Sequence, residues 1–381
     1  MKVGILTFHR AHNCGAMLQN YALQTVLKRI GAEPFTIDFN RIGEERRFAN
    51  LSVLTIKQRI LRAIQFFFSI GIFDLRLYRF NRFRKRNLQM TGRVAAGEWP
   101  SDFDFYIVGS DQVFQPNLTR QHLKAFLLEG VLPKKRISYA ASFGYESLPE
   151  AFRSMYKENL ALFHAISVRE ESGARIIKKE LGLDVPVEVV LDPTLLLDSV
   201  EYEKIETRVR VSEKYVLVYS IGGVDAKLRE VANDVANRMN AKVMFVNACR
   251  RSYFRTPHND LLAISPDRLL YLVRNAAYVV TTSFHGVAFS LIYRRQFTAI
   301  IPKNSKVAGR IPALLNRLGI PERATAEISP IDRIREQYDS RIDYNAVVER
   351  LGTLRKASLG FLQSALGMPR TKSTKCAKEH C

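Results

Sequence analysis

Short apolar runs alternate with helical patterns along almost the whole chain, and this alternation limits the possible folds more than any other feature. Strand-like runs are expected at 3–8, 34–38, 105–108, 137–141, 165–168, 187–191, 215–220, 242–247, 278–281 and 297–301. Such alternation is typical of α/β proteins with parallel sheets. A polar stretch at 198–213 interrupts it, so the sequence predicts two Rossmann-like domains that separate near residue 205.

The domain boundaries follow from this division. With 381 residues, and about 100–200 residues per domain, two domains are expected. We predict an N-terminal domain over 1–200 with a basic amphipathic insert at 41–95, a C-terminal domain over 205–325, a helical segment over 326–367 and a disordered basic tail over 368–381. One long amphipathic helix at 343–366 is expected to pack back across the junction between the domains.

Composition excludes several protein classes. Hydrophobic residues make up 47% and charged residues 25%, which is too apolar for a disordered chain. Four cysteines without a C-x-x-C pair favour neither a disulfide framework nor a structural zinc site. We therefore expect no metal and no bound cofactor. The N-terminus lacks a signal-peptide pattern and the longest apolar stretch, 63–73, is interrupted by polar residues, so we expect a cytoplasmic protein.

The formal net charge of +21 is unevenly distributed. Residues 41–93 carry thirteen Lys or Arg and three acidic residues, and the stretch 76–86 alternates bases with aromatic residues. Three interpretations stay open: nucleic-acid binding, an interfacial helix on anionic lipid, or a solvated helix face. Apolar residues at helical spacing over 60–68 favour lipid over nucleic acid, since no nucleic-acid-binding motif accompanies the charge.

Candidate binding residues follow the strands, because ligands of parallel α/β sheets bind at the carboxyl ends of the strands and at helix N-termini. In the first half, Asn13 and Gly15 follow the first strand, and Gly15 would let backbone N–H groups face an anion. Arg169 is suited to a carboxylate or phosphate, although a salt bridge to Glu170 or Asp192 would equally explain it. The other candidates at strand ends are Ser110, Asp111, Gln112 and Ser142.

In the second half, the sequence 281–286 places three hydroxyl groups and a histidine where a strand turns into a helix. His285 is a candidate acid or base, with Thr282 and Ser283 beside it. Gly222 and Gly223 would allow close backbone approach after an earlier strand. Neither a dinucleotide fingerprint nor a P-loop motif is present. Cys14 lacks a neighbouring base, which argues against a nucleophile, and the Asp102-Phe103-Asp104 sequence precedes a strand, which argues against a metal-binding D-x-D motif.

Taken together, these segments resemble the polysaccharide pyruvyl transferase family. The resemblance is carried by residues 4–7, 13–24, 108–112, 139–144, 167–170, 191–194 and 281–286, in order along most of the chain. It implies a two-domain fold like that of the GT-B glycosyltransferases. It also implies transfer of pyruvate from phosphoenolpyruvate, as a co-substrate, to two hydroxyls of one sugar, with a cyclic ketal and phosphate as products.

The family's proposed acid matches His285, and its anion-binding Arg matches Arg169. Some family branches carry an additional Arg two residues before the His, but this chain has Ser283 there. Ser283 and Thr282 would then bind the phosphate, or Arg310 would replace the missing base, with Lys303 as a further candidate. Asp111 is expected to deprotonate or orient an acceptor hydroxyl.

The predicted function is a pyruvyl transferase of cell-surface polysaccharide or capsule biosynthesis. Its acceptor would be a sugar or lipid-linked oligosaccharide, and the basic segment would hold the protein at the inner face of the plasma membrane. Nucleic acid is not an expected partner. Two alternatives stay open: a GT-B glycosyltransferase that uses a nucleotide sugar, and a non-catalytic glycan-binding protein.

Overall fold

Two parallel β-sheets form the framework of the protein. The computed structural model describes residues 1–39, 75–95, 98–220, 226–247, 263–302 and 309–369. The first sheet has seven strands in the order β3-β2-β1-β4-β5-β6-β7, and all neighbouring strands are parallel. The strands are β1 (Lys2–Leu6), β2 (Glu33–Phe39), β3 (Met90–Val94), β4 (Phe105–Asp111), β5 (Arg136–Ala141), β6 (Ala165–Val168) and β7 (Val187–Val189).

Helices cover both faces of this sheet. The helices of the first half are α1 (Cys14–Arg29), α2 (residues 75–87), α3 (Pro116–Thr119), α4 (Leu123–Phe126), α5 (Arg153–Leu160) and α6 (Glu171–Arg175). Helix α1 begins after Asn13, whose side-chain oxygen accepts from the backbone N–H groups of Gly15 and Ala16. It ends before Gly31, which has a φ of 93° that a side chain would oppose. Asn13 and Gly31 therefore define the two ends of this helix.

The second sheet has five strands in the order β12-β11-β10-β8-β9, again all parallel. They are β8 (Tyr215–Ser220), β9 (Lys242–Asn247), β10 (Tyr278–Thr281), β11 (Phe297–Ile301) and β12 (Ala324–Ala326). The remaining helices are α7 (Ser199–Glu203), α8 (Ala226–Met239), α9 (Pro266–Asn275), α10 (Phe284–Ile292), α11 (Arg310–Leu318), α12 (Ile331–Asp339) and α13 (Tyr344–Ala365). The prediction of two Rossmann-like domains in a GT-B-like architecture is confirmed.

Helix α13 contacts both domains, as predicted. The backbone N–H of Leu191 donates to Ser358 Oγ at 2.9 Å on the first-domain side. On the second-domain side, Arg350 Nη1 donates to the carbonyl oxygen of Leu318 at 2.8 Å. The rings of Tyr139 and Phe361 lie 6.2 Å apart in the same interface. A single helix therefore joins the last strands of the first sheet to the second domain.

The described part of the basic segment differs from a simple amphipathic insert. Helix α2 buries Phe80 and Phe83 in the apolar core that also contains residues of β1 and α1. Strand β3, which the sequence analysis did not predict, extends the edge of the first sheet. The apolar residues expected at 60–68 lie outside the described residues. In the part of the chain that the structure describes, no helix is long and apolar enough to cross a membrane.

Candidate functional site

The carboxyl ends of the two sheets face each other, and charged side chains from both meet there. Asp111 ends β4, and Arg169 directly follows β6. From the second domain, His285 lies in the first turn of α10 after β10, and Arg310 begins α11. The topology thus brings together four predicted residues that are up to 199 positions apart in the chain (310 − 111 = 199).

Arg169 is held in place by two buried partners. Its Nη2 lies 2.6 Å from Asp192 Oδ2 and donates to Ser110 Oγ, also at 2.6 Å. Ser110 Oγ is itself 3.1 Å from Asp192 Oδ2. The salt bridge that would explain Arg169 structurally is therefore present, but it occupies one edge of the guanidinium. Nε and Nη1 of Arg169 are buried without a hydrogen-bond partner among the described residues.

Asp192 was not predicted as a site residue, although the sequence analysis considered it as a salt-bridge partner. Its side chain is fully buried, and its Oδ1 accepts from Thr194 N at 2.9 Å and from Thr194 Oγ1 at 2.7 Å. Burial raises the pKa of this carboxyl, but Arg169, His285 and Thr194 outweigh it and the net pKa is lowered. Asp192 is therefore an ionised counterion placed between an arginine and a histidine.

His285 lies in a close-fitting, buried position. Its Nε2 is 3.8 Å from Asp192 Oδ2 and has no hydrogen-bond partner among the described residues. On the other side of the ring, a Cβ on Gly15 would lie 2.0 Å from His285 Nδ1. Gly15 therefore allows α1 to pack against the imidazole, a reason for this glycine that differs from the predicted anion contact. Burial lowers the pKa of His285, while Asp192 and Asp111 oppose the effect.

Arg310 supplies a second guanidinium next to the first. Burial and the charge of Arg169 lower the pKa of Arg310 to about 10. Asp111 Oδ1 lies 3.7 Å from Arg169 Nη1 and 3.9 Å from Arg310 Nη1. In the orientation that gives both amide atoms a hydrogen-bond partner, the side-chain oxygen of Gln112 accepts from Arg310 Nη2 at 2.7 Å and from Arg310 Nη1 at 3.0 Å. Arg310 therefore places a second guanidinium beside Arg169, and its role as a substitute for the arginine missing at 283 stays a prediction.

Glu170 is a buried carboxyl that sequence analysis did not select. Burial raises its pKa, against the opposing charges of Arg310 and Arg169. Neither carboxyl oxygen has a hydrogen bond of normal geometry among the described residues. The sequence offered one indication that Glu170 belongs to the site, namely its position next to Arg169 at the end of a strand. An acidic residue at such a position is equally typical of the solvent-exposed start of a helix.

The other predicted residues divide into three groups. Ser283 Oγ is buried without a hydrogen bond of normal geometry among the described residues, and the hydroxyl of Tyr219 lies near it. Asn13, Ser142 and Thr282 make local hydrogen bonds: to the start of α1, to Gly144 N at 3.1 Å and to Ser220 Oγ at 3.0 Å. Gly222, Gly223 and Lys303 lie outside the described residues.

Cys14 is placed next to this site but is chemically inert there. Its side chain is buried, and burial raises the pKa of the thiol to about 12. A neutral thiol is a poor nucleophile. Within the described ranges, no group of three or more His, Cys, Asp or Glu side chains is arranged to hold a metal ion.

A cavity of about 270 Å³ opens between the domains beside these residues. Its first-domain wall comes from the end of β6, the start of α6 and residues 189–192. Its second-domain wall is Phe284 together with α11, where Asn316 lies beside the face formed by Arg310, Ala313, Leu314 and Arg317. These four positions have the i, i+3, i+4, i+7 spacing of a single helix face. The site therefore combines a pair of arginines, a histidine and an adjoining cavity.

Comparison with solved structures returns proteins of similar length with low identity. UDP-GlcNAc 2-epimerase from Neisseria meningitidis is 12% identical over 96% of this chain and 100% of that chain, with a TM-score of 0.47. MurG of Acinetobacter baumannii is 8% identical over 96% and 99%, with a TM-score of 0.42. ADP-heptose LPS heptosyltransferase II of E. coli is 11% identical over 96% and 99%, with a TM-score of 0.39. These similarities say nothing about activity, and no curated protein matches the chain significantly.

Comparison with protein families gives a decisive result. The family described as Polysaccharide pyruvyl transferase matches residues 13–304, which include Asp111, Arg169, Asp192 and His285 but not Arg310 and the other α11 residues of the cavity wall. The match covers well over half of the chain. This chain therefore belongs to the polysaccharide pyruvyl transferase family.

Proposed function

We propose that this protein transfers pyruvate from phosphoenolpyruvate to two hydroxyls of one sugar in a cell-surface glycan intermediate. One observation carries the proposal: the site holds a cluster of buried polar atoms without hydrogen-bond partners among the described residues. The cluster comprises Arg169 Nε and Nη1, Arg310 Nε, Ser283 Oγ and His285 Nε2. Buried polar groups in native proteins are almost always satisfied, so these atoms favour a polar, anionic ligand.

Phosphoenolpyruvate presents a carboxylate and a phosphate, and the site offers two kinds of anion partner. The guanidinium groups of Arg169 and Arg310 supply charge and paired donors. The N-terminus of α10 supplies backbone N–H groups, with Ser283 at its N-cap making no capping hydrogen bond. We assign the carboxylate to the arginines and the phosphate to Ser283, Thr282 and this helix end.

His285 then acts as the acid. Because burial lowers its pKa, the imidazole is largely neutral near pH 7 in the free protein. A bound donor with up to three negative charges would raise that pKa and so would favour the imidazolium. The donor thereby promotes the protonation that its own reaction requires.

The reaction proceeds in two steps that balance without a cofactor. In the first, His285 gives a proton to C3 while a sugar hydroxyl oxygen bonds to C2 and releases its proton. In the second, another hydroxyl oxygen bonds to C2, the bond from C2 to the phosphate oxygen breaks, and the hydroxyl proton leaves with the phosphate. The proton released in the first step restores the imidazolium.

Asp111 is proposed to orient an acceptor hydroxyl from the first-domain side of the arginines. We expect Asp111→Asn to lower turnover about 10²-fold, the lower end of the range for acid–base groups, with binding of phosphoenolpyruvate retained. Turnover equal to that of the wild type would remove Asp111 from the mechanism. The assay is release of inorganic phosphate at saturating donor.

The acceptor is proposed to be lipid-linked, with the protein at the inner face of the membrane. Helix α2 supports this part of the proposal, because it exposes Arg82, Lys85 and Arg86 on the same face as Tyr78. Its two phenylalanines are unavailable to lipid, since they are buried. The contact with a membrane would therefore be mainly electrostatic.

The decisive experiment incubates the protein with phosphoenolpyruvate and a panel of lipid-linked saccharides. Release of inorganic phosphate, together with a gain in acceptor mass equal to one pyruvate minus one water, would support the proposal. His285→Gln is the matched control, because glutamine keeps a polar side chain but cannot supply the proton. Transfer from a nucleotide sugar, with no effect of phosphoenolpyruvate, would instead establish a glycosyltransferase.

A further inference from the structure

The cavity beside Arg169 and Arg310 has a composition that the donor alone does not explain. Only part of its wall is cationic, and Val189, Leu191, Ala313 and Leu314 form an apolar surface within it. A small dianionic molecule needs donors around it rather than aliphatic side chains. A sugar ring has both kinds of surface, with apolar C–H faces and a polar edge of hydroxyls.

The size of the cavity also fits a sugar ring. At about 270 Å³, it is close to the lower end, roughly 300 Å³, of the usual range for small-molecule sites. One monosaccharide unit would fill such a space, and the rest of a longer glycan would remain outside it. The cavity lies between the domains, so a ring bound there would contact both.

Glu170 places a buried carboxyl group in the wall of this cavity. It is 4% exposed, and both of its carboxyl oxygens lack a hydrogen bond of normal geometry in the described part of the chain. Ser142 and the backbone N–H of Phe143 lie near the carboxyl as hydrogen-bond donors and lower its pKa, but burial outweighs them and the net pKa is raised. A carboxylate in this wall can accept a hydrogen bond from the O–H group of a sugar hydroxyl.

We propose that this cavity binds the acceptor sugar ring, with Glu170 accepting a hydrogen bond from the hydroxyl that attacks first. This inference rests on the proposed function and assigns the acceptor within the same site. Asp192, which lies 3.8 Å from His285, is also part of the cavity wall. A ring in the cavity is therefore adjacent to the proposed acid.

The assignment gives Glu170 a defined part in the first step. Its ionised carboxylate takes the proton of the attacking hydroxyl as that oxygen bonds to C2 and His285 protonates C3. That proton then passes to the vacated imidazole, directly or through the bound hydroxyls. Asp111, which is not part of the cavity wall, orients the other hydroxyl, and its proton leaves with the phosphate.

Two variants of the full-length protein test this assignment. Ala313→Trp fills the cavity from the α11 side, and Glu170→Gln removes the carboxylate with little change in shape. Glu188→Gln, an exposed residue of β7, is the matched control for the change of charge. The probes are the methyl glycosides of glucose, galactose, mannose and N-acetylmannosamine, with binding measured by saturation-transfer NMR.

We expect at least one glycoside to bind the wild type and Glu188→Gln, with binding to Ala313→Trp weakened at least tenfold. Glu170→Gln should lower kcat/KM for the acceptor about 10–100-fold, as expected for a lost hydrogen bond to a charged group, while the KM for phosphoenolpyruvate stays unchanged. The wild type and Glu170→Gln should bind a deoxy glycoside that lacks one reacting hydroxyl with similar affinity.

The inference is overturned if no glycoside binds the wild type, or if Ala313→Trp binds as well as the wild type. Wild-type acceptor kinetics in Glu170→Gln would equally remove the proposed role of the carboxylate. Calorimetric titration of the same samples with phosphoenolpyruvate distinguishes a failure of the proposed function from a failure of the proposed sugar site. If the donor fails to bind while a glycoside binds in the cavity, the proposed function fails and the sugar site stands.

Discussion

At the scale of single residues, the protonation of His285 is set by opposing groups. Burial and the two arginines lower its pKa, whereas Asp192 and Asp111 raise it, and the net shift is downward. If the imidazolium is the acid, activity is lost as pH rises through this pKa. A bound anionic donor raises the pKa, so this loss should occur at higher pH in the complex than in the free protein.

The pH profiles of kcat/KM and kcat should therefore differ. The kcat/KM for phosphoenolpyruvate should fall with rising pH from an inflection below the ordinary histidine value of about 6.5, and kcat should fall from an inflection at higher pH. Because kcat/KM reports the free enzyme and kcat the complex, steady-state kinetics between pH 5 and 9 measures both. His285→Gln should be about 10²–10⁴-fold slower.

The donor's own titration provides the control for that experiment. The phosphate of phosphoenolpyruvate also changes charge near pH 6, but it does so equally for the wild type and His285→Gln. The ratio of the two profiles therefore isolates the histidine. A ratio that does not vary with pH would contradict the assignment of His285 as the acid.

Gly15 offers a second test at this scale. Since a Cβ at Gly15 would lie 2.0 Å from His285 Nδ1, Gly15→Ala must displace the imidazole or the start of α1. We expect a loss of turnover of about 10²-fold or more, because misplacing a catalytic group by about 1 Å has an effect of that order. Phosphate release measures it, and circular dichroism checks the fold.

The matched control is another helical glycine with space around it. Gly352 in α13 has no heavy atom within 4 Å of a Cβ built at that position. Gly352→Ala should keep wild-type turnover and stabilise the protein by about 0.5–1 kcal/mol, because alanine favours the helix. Equal turnover in both alanine variants would show that the contact between Gly15 and His285 is unimportant.

At the scale of elements, helix α2 separates structural bases from exposed ones. Arg76 Nη2 donates to the carbonyl oxygen of His12 at 2.7 Å, and Arg79 Nη1 to that of Ala263 at 2.9 Å. Arg84 Nη1 donates to the carbonyl oxygen of His9 at 3.3 Å. These three arginines hold the helix against both domains, so they should not be changed in a test of lipid binding.

The exposed bases give the corresponding prediction. Changing Arg82, Lys85 and Arg86 together to glutamate should weaken binding to phosphatidylglycerol vesicles by about two orders of magnitude, at about 1 kcal/mol per base near an anionic surface. Co-sedimentation with vesicles measures it. The same change at Lys157, Lys178 and Lys179, which are exposed elsewhere, is the control, and equal losses in both triple variants would refute a specific role for α2.

At the scale of the whole molecule, the proposed donor site takes one arginine from each domain. A ligand bound between Arg169 and Arg310 links the domains and stabilises the folded chain by RT ln(1 + [L]/Kd), about 2.7 kcal/mol at 100 times Kd. We therefore expect phosphoenolpyruvate to raise the Tm of the wild type. Arg310→Ala should abolish that increase in differential scanning fluorimetry.

Arg335→Ala is a suitable control for the loss of an arginine. Arg335 pairs with Asp234 at 2.7 Å on the surface of the second domain, away from the strand ends that form the site. It should keep the full increase in Tm. If both variants respond to phosphoenolpyruvate like the wild type, the donor does not bind to Arg310.

Local sequence patterns were enough to predict the fold class and to select several residues that the fold brings together. The alternation of strand-like and helical patterns predicts parallel strands and helices because each element must bury an apolar face. The spacing of apolar residues within each segment shows that face directly. The carboxyl ends of those strands then indicated Arg169, Asp111 and His285. Strand β3 was missed because its residues 90–94 are partly or largely exposed, so they lack the apolar run of a buried strand.

The tertiary structure alone decided how these residues pair. Glu170 adjoins Arg169 in the sequence, and Asp192 lies shortly after β7. Only the packing within the first domain shows that Asp192 is an ionised counterion of Arg169 and that Glu170 is buried without hydrogen bonds of normal geometry. The approach of the two domains places Gly15 against His285. Charges and contacts of this kind depend on distances between residues far apart in the chain, and local sequence patterns do not encode those distances.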